Sequence, residues 1–315
     1  MTVSVFDHFT PVTRRWFTGA FAAPTAAQEG AWRSIARGDN TLVVAPTGSG
    51  KTLAAFLWSL DRLAAARMAE GTQPAGPGPK AGKSAKKEKD GAGPRRCRVV
   101  YVSPLKALAV DVERNLRAPL AGIGQVARAM GLPVPDISVA IRSGDTAAED
   151  RRRFAAHPAD ILITTPESLY LLLTSKARDA LREVETVIVD EVHAVAGTKR
   201  GAHLALTLER LDALLPQPAQ RIGLSATVRP VSEIAAFLGG SRPTTVVQPP
   251  SDKVIEVQVI VPVEDMTELD SPGPSPAPTP PAAPAPRRTA TRTRGRCRNR
   301  RAGRSGRTSR STSSP

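Results

Sequence analysis

Short β-branched and aliphatic runs alternate with longer stretches of helical apolar spacing along the first 250 residues. The runs lie at 41–44, 98–103 (RVVYVS), 137–142 (ISVAIR), 160–165 (DILITT), 185–190 (ETVIVD), 220–227 (QRIGLSAT) and 244–248. Most are continuously apolar at their centres, the pattern of strands covered on both faces. The stretches between them predict helices at 24–37, from the turn after the first run to about Met68, and at 105–118, 147–155, 167–174, 202–215 and 231–238. Strand and helix in succession mean repeated βαβ units. The expected fold is α/β, a parallel sheet with helices on both faces that binds ligands beyond the carboxyl ends of its strands. A further run at 253–263 (KVIEVQVIVPV) alternates as a half-buried strand does.

Composition changes the picture at two places. Residues 71–96 turn to Gly, Pro, Lys and Ala without periodicity, which predicts a long disordered insert between two regular elements. Residues 271–286 are dominated by Pro and Ala, and 287–315 by Arg, Thr, Ser and Gly. Neither segment can bury enough apolar surface to offset its conformational entropy, so 271–315 reads as a disordered tail. The net charge of +15 resides in such segments: 271–315 holds eleven Arg and no acid, and 80–98 carries +6, leaving −2 for the rest. Bulk charge is thus no argument that the folded part binds nucleic acid. Cys97 and Cys297 have neither metal-ligand spacing nor the pattern of a disulfide framework, in keeping with a reducing compartment. The N-terminus lacks a basic region followed by an apolar run, and no apolar stretch approaches bilayer length. These features predict a soluble cytoplasmic protein.

The chemistry concentrates at residues 41–57, TLVVAPTGSGKTLAAFL. Leu42, Val43 and Val44 lead through Thr47, Gly48, Ser49 and Gly50 into Lys51-Thr52 and a helix, the construction of a P-loop. Its glycines let backbone N–H groups wrap a triphosphate, the helix N-terminus adds partial positive charge, and the lysine reaches the outer phosphates. Ala45 stands where the first glycine of the motif is usual. The plainer alternative is a strand-to-helix turn that happens to carry Gly-Lys-Thr. If Lys51 holds a triphosphate, a partner strand should end in a carboxylate for magnesium, and Val187-Ile188-Val189-Asp190-Glu191 supplies one. Asp190 suits Mg²⁺ held through water, and Glu191 is placed to orient and deprotonate an attacking water. The competing reading of these two acids is a solvated acidic turn.

Asp190-Glu191-Val192-His193 resembles the DEAD/DEAH-type Walker B motif of superfamily 2 helicases. Residues 103–108 (SPLKAL) resemble motif Ia, 164–169 (TTPESL) motif Ib, and Ser225-Ala226-Thr227 motif III. FAAPTAAQEGAW, SGDT and DEVHAVAGTKRGAHLALTLERL sharpen the resemblance to the large helicase-related (Lhr) family, over about residues 6–265. It implies a RecA-like P-loop NTPase domain that uses ATP and Mg²⁺ and engages single-stranded or duplex nucleic acid, DNA or an RNA–DNA hybrid. Lys51, Asp190, Glu191 and His193 would be catalytic, with Thr52 and Asp190 holding the metal. Gln28 resembles the adenine-reading glutamine, with Trp16, Phe17 or Phe9 stacking on the base. His193, Ser225, Ala226 and Thr227 would couple the phosphate state to domain closure. Ser103, Pro104, Lys106, Arg142, Ser143, Gly144, Thr165 and Pro166 would contact the sugar-phosphate backbone, Pro104 and Pro166 as helix starts; the bland reading of each is helix capping. Lys199-Arg200-Gly201, on the loop after the Walker B strand, is a weaker candidate for the same face, while His8, His157 and His203 read as surface or packing residues.

A motor of this class closes its ATP cleft with a second RecA-like domain that brings arginine fingers. The resemblance places the interdomain linker at 251–270 and that domain just beyond, where the composition changes instead. The abrupt loss of acids reads as a truncated or frameshifted product of a GC-rich gene; a genuine basic tail that binds nucleic acid is the other reading. The expected function is that of the first motor domain, residues 1–250, of an ATP-dependent DNA or RNA–DNA helicase of DNA repair, poorly active in this chain alone. The alternatives are a non-catalytic nucleic-acid-binding fragment acting through its tail, and an RNA helicase.

Overall fold

The computed structural model describes residues 4–72 and 96–250. A 3-10 turn at Val5–His8 leads into α1 (Pro11–Ala20), α2 (Ala26–Ala36), β1 (Asn40–Val44) and α3 (Lys51–Thr72). Then follow β2 (Val99–Val102), α4 (Lys106–Ala129), β3 (Val139–Arg142), α5 (Ala148–Ala156), β4 (Ile161–Thr164) and α6 (Pro166–Leu173). A second 3-10 turn at Lys176–Leu181 precedes β5 (Thr186–Val189), the single-turn α7 (Val192–Val195), α8 (Lys199–Leu214), β6 (Gln220–Ser225), α9 (Val231–Gly239) and β7 (Thr244–Val247).

The strands pair in parallel, in the order β3-β4-β2-β5-β6-β1-β7. Two-residue periodicity sends their side chains alternately into two cores. Val43, Val99, Tyr101, Ile161, Ile188 and Leu224 join the core with α1–α4 residues such as Phe17, Trp32, Phe56 and Ile123. Leu42, Val44, Val100, Leu162, Val187 and Val189 join the other, with Leu169, Leu204, Leu208 and Leu238. The continuously apolar runs are thus explained by covered faces on both sides, as expected. Threonines start four of the helices. The side chains of Thr10, Thr25, Thr165 and Thr198 each accept a bond from a backbone N–H in the first turn of α1, α2, α6 and α8.

Among the elements that differ from the sequence reading are three in the first half of the chain. α1 lies in what read only as a short lead: Thr10 caps it, Pro11 opens it, and buried Asp61 on α3 accepts from Thr10 N (3.1 Å) and Oγ1 (2.6 Å). α4 runs on past residue 118 through Pro119 to Ala129, because Leu116, Ile123 and Ala127 continue the buried stripe. That burial offsets the hydrogen bond the proline ring removes. α3 reaches Thr72, two residues into the expected insert; the rest of the insert, 73–95, lies outside the described residues, as do the run at 253–263, Cys297 and the tail. Among the described residues no helix is long and apolar enough to cross a membrane. Cys97 is fully buried, and burial pushes its thiol up to about 12.

Candidate functional site

β1 and β5 flank β6 in the sheet, so the turns after all three sit side by side at the carboxyl edge. A cavity of about 310 Å³ opens there, lined by Thr47, Gly48, Gly50, Lys51, Thr52, Asp190 and Glu191, with Leu108, Asp111, Val112 and Asn115 of α4. The loop after β1 has the P-loop shape. Gly48 (φ 81°) and Gly50 (φ 79°) occupy the left-handed region, and a Cβ at residue 50 would stand 2.5 Å from Gln28 Nε2. Ala45 is buried at the strand end with no positive φ, so the turn needs no glycine there. Ser49 is tied by its hydroxyl to Pro46 O (2.7 Å), and its own carbonyl accepts from Thr25 Oγ1 (2.8 Å). Lys51 Nζ donates to Ala45 O (2.6 Å) and Pro46 O (2.9 Å). Burial lowers the ammonium's pKa below its ordinary value, against the opposing pull of Glu191 and Asp190.

Asp190, nearly buried, is held at both oxygens: Oδ1 accepts from Glu191 N (2.9 Å), and Oδ2 from the hydroxyl of Tyr101 on β2. Glu191 adopts φ 44°, the one positive φ outside glycine among the described residues. His193 Nδ1 lies 3.4 Å from Glu191 Oε2 and 3.3 Å from Ser225 Oγ, which links the β5 turn to the end of β6. Ser225 also accepts from Ala45 N at its carbonyl (3.2 Å) and donates its hydroxyl to Ala226 O (2.9 Å); Thr227 is exposed. The structure therefore brings the predicted phosphate, metal and coupling residues to one edge.

The donor set fits a triphosphate with a hard cation. Thr52, Asp190 and Glu191 offer only oxygen, and one ammonium faces three carboxylates, Asp111, Asp190 and Glu191, around the cavity. Such a lining repels bare phosphate and accepts it with a divalent ion.

Gln28 is neither on the helix surface nor presenting an unengaged amide. It is 4 % exposed, its Oε1 accepts from Thr25 N (3.0 Å) in a capping box, and its Nε2 reaches Gly50 O (3.4 Å). Of the aromatic candidates, Phe9 and Phe17 are buried against Trp32, edge-on with ring centroids 5.0 and 5.4 Å apart, so neither presents a face to a base. Trp16 is half-buried, and Phe21, packed on Phe17, is 42 % exposed. The α4 residues of the cavity were missed because the helix face turned towards it depends on packing.

The remaining candidates follow β2, β4 and β3, the other half of the edge. Lys106 Nζ pairs with Asp145 Oδ2 (2.5 Å), spanning the end of β4. In the 143–146 turn, Ser143 N donates to Thr146 Oγ1 (2.8 Å) and Arg151 Nη2 to Gly144 O (2.7 Å). Arg142 is half-buried, its Nη1 is without a hydrogen-bond partner, and burial, then Arg151, lower its pKa. Ser103, Pro104, Thr165 and Pro166 are buried as whole residues. Pro166 opens α6 as expected, whereas Pro104 precedes α4, which starts at Lys106 after an N-cap at Leu105. Lys199, Arg200 and Gly201 form the first turn of α8 rather than a loop. Arg200 pairs with Glu167, and a Cβ on Gly201 would stand 2.1 Å from Val195 O. His203 packs on Tyr170, ring centroids 4.5 Å apart, as a packing residue should.

The family model for DEAD/DEAH box helicases matches residues 25–234. The Lhr helicase/probable uracil glycosylase of Mycolicibacterium smegmatis is 60% identical over 265 residues, 84% of this chain and 16% of that protein. The Lhr helicase/uracil glycosylase of Escherichia coli is 55% identical over the same shares, so the chain spans about a sixth of the length of these relatives. The ATP-dependent helicase Lhr-Core of Methanocaldococcus jannaschii is 40% identical over 83% of this chain and 28% of its own. Among solved structures, Mycobacterium smegmatis helicase Lhr bound to ssDNA and AMP-PNP aligns with a TM-score of 0.73 and 58% identity, covering 85% of this chain and 31% of that one. With its P-loop, its acidic β5 turn and a family match over most of its length, the chain belongs to the DEAD/DEAH box helicases, and the Lhr helicases are among its relatives there.

Proposed function

We propose that residues 1–250, interrupted by the insert at 71–96, are the first motor domain of an ATP-dependent helicase of the Lhr type. The observation that carries the reading is the convergence of Lys51, Thr52, Asp190 and Glu191 on one cavity at the carboxyl edge of a parallel sheet. Lys51 and the P-loop amides bind the ATP phosphates. Thr52 and Asp190 hold Mg²⁺, which neutralises phosphate charge when bound. Glu191 orients and deprotonates the attacking water. His193, between Glu191 and Ser225, passes the state of that carboxylate to the end of β6.

The nucleic-acid path lies over the turns after β2, β4 and β3, through Lys106, Arg142, Ser143, Gly144 and the amino end of α6. These contacts would be to backbone, as a translocating motor needs. Single-stranded DNA is the proposed ligand, supported by the 58%-identical Lhr structure bound to ssDNA. The uracil glycosylase designation of two bacterial relatives supports a role in DNA repair, and cytoplasmic placement accords with the sparse cysteines. A second RecA-like domain is the proposed partner that completes hydrolysis: the one cation lining the cavity among the described residues is Lys51.

Equilibrium titration with a fluorescent ATP analogue and magnesium tests the reading. Lys51→Ala should weaken binding at least tenfold while leaving the circular dichroism spectrum unchanged; equal affinity would sink it. DNA binding should be measured alongside, with residues 271–315 removed. Complete loss of DNA affinity on that deletion would favour the tail as the binding element.

A further inference from the structure

Tyr101 and Asp190 meet because of register. Tyr101 on β2 pairs with Ile188 on β5, and both point into the α3/α4 core. Asp190 lies two residues further along β5, on the same face and about 6–7 Å nearer the carboxyl edge. A phenol is long enough to cover that distance, and the Tyr101 hydroxyl donates to Asp190 Oδ2. Tyr101 is fully buried, and its ring stacks on Phe56 of α3 with centroids 4.9 Å apart.

We propose that Tyr101 is the positioning residue of Asp190, its buried hydroxyl fixing the carboxylate in the orientation that receives the hydrated Mg²⁺ of the nucleotide. This rests on the reading of Asp190 as the metal-side carboxylate. Each carboxylate oxygen has about two acceptor sites. Tyr101 fills one on Oδ2 and Glu191 N–H one on Oδ1, which leaves one outward site on each for water of the ion. With both inner sites filled the carboxylate cannot rotate, and no reorientation is needed when the metal arrives. Outer partners of this kind set metal affinity about 10–100-fold. Phe56 in turn locks the phenol, so the P-loop helix α3 and the metal carboxylate share one buried column of side chains.

The test is magnesium dependence. Tyr101→Phe keeps the ring on Phe56 and removes only the hydroxyl. Binding of a fluorescent ATP analogue should need about tenfold more Mg²⁺ for half-saturation, while metal-free binding in EDTA stays unchanged. In an Asp190→Asn background, Tyr101→Phe should produce no further shift. A half-saturating Mg²⁺ within twofold of the unsubstituted chain overturns the proposal, as does equal weakening with and without metal, which marks a purely structural role. Failure of the unsubstituted chain to bind the analogue at all would instead overturn the nucleotide reading itself.

A second measurement needs no change at Tyr101. The chain has two tyrosines, so ¹³Cζ-tyrosine NMR gives two signals, assigned with Tyr170→Phe. The Tyr101 signal should move when Mg²⁺ is added to the chain with AMP-PNP, and not when AMP-PNP is added in EDTA. A signal unmoved by Mg²⁺ overturns the proposal even if Tyr101→Phe does not fold.

Discussion

Glu191 is held at φ 44°, a conformation that costs a non-glycine residue about 1–3 kcal/mol. Its N–H bonds to Asp190 Oδ1 and its carboxylate sits beside His193, so the strained turn delivers the acid to the cavity mouth. Glu191→Gln retains the strain and should leave the urea midpoint unchanged; Glu191→Gly relieves it and should be up to about 1 kcal/mol more stable. With a second RecA-like domain supplied, both should lose hydrolysis, read as phosphate release in the presence of DNA. At Gly50 the direction reverses. Alanine would be strained at φ 79° and would press its Cβ on Gln28, so Gly50→Ala should weaken ATP-analogue binding by tenfold or more and lower the melting temperature. These positions were legible in the sequence because a P-loop and an acidic strand end are local, with fixed spacing. Phe9 and Phe17 were not: whether an aromatic faces a core or a ligand is decided by partners such as Trp32, far along the chain.

At the scale of elements, seven strands and most helices were readable to within a few residues, because apolar runs and threonine caps mark them locally. The two larger misses, α1 and the second half of α4, owe their stability to tertiary contacts: Asp61 clasping Thr10, and a buried stripe that outweighs Pro119. The α6–α8 pair shows how one ion pair acts between elements. Arg200 holds the Glu167 carboxyl at about 2, below its ordinary 4.5, chiefly by a side-chain hydrogen bond. A depressed folded-state value stabilises above the unfolded one, and that contribution disappears as pH falls from about 4.5 through about 2. Urea midpoints of the unsubstituted chain should therefore exceed those of Glu167→Gln at pH 6, with the gap closing towards pH 2. Because both groups are partly exposed, the gap should also shrink in high salt.

Across the molecule the two ends of the sheet divide the labour. The candidate ligand site lies at the carboxyl edge, while the amino end of β6 carries an ionic cluster around buried Arg221. Arg221, 1 % exposed, bonds Asp212 Oδ2 (2.7 Å), Glu209 Oε1 (2.9 Å) and Leu238 O (3.1 Å), and Arg242 joins at Asp212 (2.9 Å). Asp212→Ala leaves Arg221 with only Glu209 and the Leu238 carbonyl, and should cost about 1–3 kcal/mol in chemical denaturation. ATP-analogue affinity, measured below the melting transition, should remain within twofold. Neither the cluster nor the phenol behind Asp190 could be read from spacing: the cluster depends on how α8, β6 and the turn after α9 pack, and the phenol on the register of β2 against β5. The Lys51 ammonium, bonded to the carbonyls of Ala45 and Pro46, has a practical consequence. The lysine is the brace of its own loop. A lysine-less variant thus differs from its parent before any ATP is added. Its loop should exchange amide hydrogens faster at residues 47–50, and an inactive control with the loop intact is better made at Glu191.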